Sequence, residues 1–256
     1  MQASRHSSYK EARKSPSDDR DFGLDAPIKP RCKVFREHAQ YTRYLSVHGK
    51  TEISNLLTGS QLASASTSSN IVSNATAVTT LVFSYSGDIN GFSSYVSTLR
   101  LSVLQNPSLL SPKVKESLLL SIAQIVFQQF TALSDTQFQS WITGIDFLLP
   151  SINSTILDYI PKDISCSRYQ IIVLALNNIF QSLSVQKQTA VAAFENAFLT
   201  YQYNSDGDAC TAGISNTPQY AQKNFGEFCY NVSADAVAMY YPSLNKVSFT
   251  AFCKLQ

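Results

Sequence analysis

The sequence predicts an all-α chain of paired helices, arranged as an ARM/HEAT-like superhelical solenoid behind a basic, disordered N-terminal segment. Three observations predict it. From Phe92 onward the apolar residues recur at the spacing of one helix face and not in strand-like alternation. The apolar register also returns after fifty residues: Ile122 matches Ile172, Val126 matches Leu176, Phe130 matches Phe180, Leu133-Ser134 matches Leu183-Ser184, and Leu149 falls on Leu199. Few of these positions are identical, so register carries the repeat. A period of that size built from helix pairs points to a solenoid, because each pair exposes an apolar face that its neighbour must cover. A bundle of similar hairpins is the alternative. Thirdly, charge divides the chain near residue 50: residues 1–50 carry 11 Lys/Arg against 6 Asp/Glu, while residues 51–256 carry 9 against 12.

Residues 1–50 are expected to form a disordered basic segment. They hold Pro16, Pro27, Pro30 and few aliphatics, too little apolar surface to offset the entropy of ordering. A short helix over 33–44 is the one local exception expected there. Residues 51–87 read as a Ser/Thr-rich linker open to O-linked sugars. Within it 81–85 has strand character, and its isolation makes it an apolar plug against the first helix.

The helical domain is expected over 88–256. Its first helix, 92–105, turns Phe92, Tyr95, Val96, Leu99, Val103 and Leu104 mostly to one face and ends at Asn106-Pro107. Ser111-Pro112 opens the next with a capping hydroxyl and a first-turn proline, running to about Phe130. Ser134 and Gln137 have capping-box spacing, and the helix after them buries Phe138, Trp141, Ile142, Ile145 and Leu148 and stops at Pro150. After the pair containing Cys166 and Leu199 comes a polar loop over 200–217. Thr217-Pro218 starts a short helix ending near Asn224, and Ser233 caps another to Tyr241. The last residues read as a helix cut short, which suggests a fragment or a truncated gene model.

Ile164-Ser165-Cys166 with Tyr169, then Ala209-Cys210, Asn224-Phe225-Gly226 and Tyr241-Pro242, occur in an order that resembles the repeat unit of large extracellular helical-solenoid proteins of the mesothelin, stereocilin and otoancorin kind. The likeness is greatest to their repetitive, Ser/Thr-rich relatives in fish, and covers about residues 88–252. It implies an extracellular, adhesive or matrix-associated role without catalysis, in some relatives tethered to a membrane. The chain shows neither a secretory signal nor an anchor, and no apolar run of bilayer length.

Four cysteines, Cys166, Cys210, Cys229 and Cys253, lie in the helical domain, a number that suits two bridges. The preferred pairing is Cys166–Cys210 with Cys229–Cys253, which would tie the start of one helix pair to the loop leaving it. Four free thiols in a cytosolic protein are the alternative. Zinc is disfavoured because no Cys-x-x-Cys spacing exists and all three histidines, His6, His38 and His48, precede the helices. Sequons occur at Asn74, Asn153 and Asn231, the latter two in predicted loops beside the cysteines. Two acidic turns, 88–91 and 204–208, fall short of a calcium loop and carry no metal expectation.

No histidine beyond residue 48, no phosphate-binding glycine loop and only scattered acids leave catalysis little to work with, so no enzyme and no cofactor are expected. The basic tail lacks any module that would make it a nucleic-acid binder. The expected role is surface contact, in adhesion or matrix interaction, with a protein or glycan partner outside the cell or at its surface. An intracellular scaffold whose basic tail is phosphorylated at Ser15 is the alternative, and a carrier enclosing a lipid-like small molecule the weakest reading.

Overall fold

The computed structural model describes residues 58–68, 71–83 and 89–255. The expectations for 1–50, including a phosphorylated Ser15, and for Asp88 lie outside them, as does Cys32, a fifth cysteine flanked by Arg31 and Lys33 and read from the sequence as a spare residue. Among the described residues the chain is helical throughout, with no strand. The helices are α1 (Gly59–Ser66), α2 (Ala75–Phe83), α3 (Ile89–Gln105), α4 (Pro112–Val126), α5 (Asp135–Gly144), α6 (Ser154–Leu157), α7 (Cys166–Asn177), α8 (Val185–Asp206), α9 (Thr217–Asn224), α10 (Ala234–Tyr240) and α11 (Lys246–Cys253).

Small polar side chains decide where most of them begin. Ser111, Ser134, Ser165, Ser184, Asn216, Ser233 and Asn245 each sit in extended backbone and accept a hydrogen bond from an amide of the first turn, so an otherwise orphaned donor is satisfied. Ser134 and Gln137 form the full capping box, and Pro112 sits in the first turn of α4.

One succession occurs three times: a helix, a 3-10 turn, then a serine-capped helix. It runs through α4, 127–132 and α5; through α7, 180–182 and α8; and through α9, 226–231 and α10. Each 3-10 turn carries a phenylalanine that packs on a neighbouring ring: Phe130 lies edge-on to Phe138 at 4.9 Å, and Phe180 edge-on to Phe228 at 5.0 Å. Packing follows a simple order. Each odd-numbered helix lies against the next odd one, from α1 through α3, α5, α7 and α9 to α11, and the even-numbered helices follow likewise from α2 to α10. One continuous apolar core runs between them.

Several boundaries differ from expectation. Residues 51–87 are more than a linker: α1 and α2 lie there and bury Leu62, Val78, Leu81 and Val82. Short Ser/Thr/Ala helices carry weak periodicity, and what holds α1 is close contact with α3. A Cβ on Gly59 would come within 2.0 Å of the Gly91 carbonyl oxygen, so only glycine admits this approach. Leu81–Phe83 end a helix instead of forming a strand, though Leu81 and Val82 do plug the core. Leu104 is 56% exposed, unlike its expected partners Phe92, Tyr95, Val96, Leu99 and Val103, which are buried. The α4 helix tightens to 3-10 geometry at Phe127, and α5 stops at Gly144, before Pro150. α8 continues to Asp206, shortening the polar loop, because Gln202 turns inward and donates to the carbonyls of Lys162 at 2.7 Å and Ile164 at 3.3 Å.

Candidate functional site

Residues 165–169, 209–210 and 224–226, apart in sequence, meet at one joint where α7, α8 and α9 come together. Ser165 caps α7, placing Cys166 at the helix's first position, and Cys166 is bonded to Cys210 with a Cα–Cα separation of 5.2 Å. Three positions on, Tyr169 is fully buried, its ring stacked on Phe198 of α8 with centroids 4.1 Å apart. Its hydroxyl donates to the backbone carbonyl of Asn224 at 2.6 Å.

Asn224, also fully buried, uses its side chain in both directions. Its Oδ1 accepts from Gln170 Nε2 at 3.2 Å and its Nδ2 donates to the carbonyl of Cys210 at 3.3 Å. Tyr220 reaches back to the Ala209 carbonyl at 3.0 Å, and its ring stacks on Tyr241 at 4.2 Å. Gly226 takes a left-handed φ of 52°, and a Cβ there would lie 2.7 Å from Asn177 Oδ1. That oxygen accepts the Glu227 amide at 2.8 Å, so glycine lets the chain turn against α7. Cys229–Cys253, with Cα atoms 5.4 Å apart, then ties the 226–231 turn to α11. Both expected pairings are therefore present, and Ala209-Cys210, Asn224-Phe225-Gly226 and Tyr241 act as packing and hydrogen-bonding groups of one joint.

Sequence reading missed three side chains that hold these elements together and one acid buried among them. Arg168 donates to Asp135 at 2.8 Å, to the Phe130 carbonyl at 2.6 Å and to the Leu133 carbonyl, and lies over the Phe138 ring. It thereby fastens α7 to the turn before α5. Gln202 and Asn177 have been described. The fourth is Glu195 on α8, which is 0% exposed and has no partner for either carboxylate oxygen. Burial holds its carboxyl protonated well above the usual carboxylate range. None of the four belongs to a motif. Each is legible only once residues tens of positions away are in place.

The three sequons differ in setting. Asn74 is exposed, with its Oδ1 accepting the Ala77 amide at 3.1 Å. Asn153 is half-buried and committed twice: its Oδ1 caps α6 at 3.0 Å from Ile156 N, and its Nδ2 donates to Glu116 at 2.7 Å. Asn231 is exposed at the end of the 226–231 turn. At the acidic turn 204–208, Asp208 Oδ1 accepts from the Thr211 amide at 2.8 Å, the bond of an ordinary side-chain-closed turn. Among the described residues no group of three or more His, Cys, Asp or Glu side chains is placed to hold a metal ion, and no helix is long and apolar enough to cross a membrane.

The surface offers shallow grooves between successive helices. One of 480 Å³ between α5 and α7 has an apolar floor of Ile142, Phe147, Ile171 and Ile179, flanked by Leu104 and by Leu174, which is 61% exposed. A second of 480 Å³ runs between α6 and α8 over Leu157, Ala190, Ala193 and Ala197. Comparison with protein-family models, with curated proteins and with solved structures finds no match to this chain.

Proposed function

We propose that this chain is a non-catalytic, extracellular or cell-surface-associated protein whose helix pairs form a superhelical solenoid and which works by surface contact, in adhesion or matrix interaction. The observation that carries this reading is the pair of disulfides: Cys166–Cys210 ties the start of α7 to the loop leaving α8, and Cys229–Cys253 ties the 226–231 turn to α11. Cross-links of this kind form and persist in oxidising surroundings. The solenoid is supported by the threefold succession of helix, 3-10 turn and serine-capped helix and by the stepwise packing order. The surface-contact role is supported by the groove beside Leu104 and Leu174, whose apolar floor suits a protein or glycan partner. The likeness to the mesothelin kind agrees with the same reading, since its motif residues are the ones that build the cross-linked joint.

Peptide mapping without reduction, on protein from its native source treated with glycosidase in heavy-oxygen water, tests it. The expected result is a linked Cys166–Cys210 peptide together with a labelled Asn231, the most open sequon of the helical domain. Asn153, bound to Glu116, is expected to carry the label less often. Free thiols with unmodified asparagines would overturn the reading. A phosphorylated Ser15 beside them would favour the intracellular scaffold.

A further inference from the structure

Glu195 sits where three helices meet, and its surroundings contain nothing to hold a charge. Tyr169 of α7 and Tyr240 of α10 are the ionisable groups that face it, and both are neutral phenols kept so by burial. Tyr169 gives its proton to Asn224 and Tyr240 gives its own to Asn196 at 2.9 Å, so neither serves the carboxyl. Cations on the elements packed around α8 are committed elsewhere or in solvent. Arg168 holds Asp135, Lys187 holds the Pro150 carbonyl at 2.7 Å, Lys246 holds Asp235 at 2.7 Å, and Lys162 is exposed. The remaining acids nearby, Asp158 after α6, Glu227 in the 226–231 turn and Asp235 in α10, are exposed or half-buried at the surface.

An ionised carboxylate in such a place has neither water nor a counter-charge, whereas the neutral acid loses only hydrogen bonds. We propose that Glu195 makes the joint of α7, α8 and α10 depend on a proton: the neutral carboxyl lets the helices close, and its ionisation drives them to open. This device is independent of the surface-contact reading. The folded state raises the acid's pKa above its value of about 4.3 in the unfolded chain. Its contribution to stability is therefore complete below that unfolded value and is lost as pH rises through the folded one. Acid tightens the joint and alkali loosens it.

The test follows the oxidised 256-residue chain from pH 5 to pH 9 by urea unfolding and by hydrogen exchange corrected for its intrinsic pH dependence. In the wild type the unfolding constant is expected to rise by up to about tenfold per pH unit. The protection of α8 and α10 should fall with pH relative to that of α4. Glu195→Gln and Glu195→Met should remove the slope, and comparison with them cancels the histidines of 1–50. If Glu195→Gln does not fold, Glu195→Met carries the comparison, and the wild-type contrast of α8 with α4 stands without either variant. A wild type that shares its pH profile with both variants, or α8 protection that tracks α4 at every pH, would overturn the proposal.

Discussion

Asn224 does at residue scale what no backbone bond in its neighbourhood can do. Its amide bridges α7, through Gln170, to the loop that carries Cys210, and its carbonyl receives the Tyr169 hydroxyl. Removing the side chain leaves the buried Cys210 carbonyl without its bond and also frees the half-buried Gln170 amide. Asn224→Ala is expected to lower stability by about 2 kcal/mol, the scale of a buried hydrogen-bonded group left unpaired, measured by urea unfolding. An unchanged midpoint would mean that the joint relaxes around the gap. Serine caps and the four cysteines of the helical domain were legible in the sequence because each acts with partners a few residues away or through a chemistry only cysteine has. Glu195 was not. A glutamate in an amphipathic stretch reads as a solvated face, and only Tyr169 and Tyr240, 26 and 45 positions away, show that it faces inward.

At the scale of elements the cross-links matter more than any single cap. Cys166–Cys210 closes 44 positions of chain between the start of α7 and the loop leaving α8. Replacing both cysteines by alanine should cost about 2–4 kcal/mol, through a less constrained unfolded chain. The fold should survive that loss, with an unchanged helical circular dichroism spectrum and a lower urea midpoint, since Tyr169 on Phe198 and the Asn224 bonds hold the same joint. Equal stability of the oxidised wild type and the double variant would show that the bridge constrains little. Element boundaries were only partly legible. α4, α5, α9 and α10 begin where their caps place them. α1 and α2 were read as linker because a Ser/Thr/Ala helix has almost no apolar stripe, and α8 was read as too short because Gln202 is polar yet buried.

For the whole helical region, each helix meets the one two places along; a solenoid built on such contacts would pass energy between neighbours and not gather it at one centre. Phe249 of α11 is buried against Phe225, with ring centroids 6.0 Å apart. Phe249→Ala is expected to remove about 3–5 kcal/mol locally. Hydrogen exchange should lose protection over α9, α10 and α11 while α1 to α4 keep theirs, as nearest-neighbour coupling in a repeat array requires. Uniform loss along the chain would instead describe a single cooperative bundle and count against the solenoid.

By itself the sequence determined that the chain is helical from Phe92 onward, where most helices begin, and that four cysteines are available in pairs. These are local properties: a 3.6-residue period, a hydroxyl within reach of an amide three positions on, and a residue type. Tertiary structure alone decided which helices adjoin, that the Ser/Thr-rich α1 and α2 fold against α3 and α4, and that the motif residues of α7, of α9 and of the loop after α8 form one joint with a buried Glu195 beside it. The reason is that burial and hydrogen-bond partnership at these positions are set by side chains tens of residues away, and no local pattern encodes what will lie opposite.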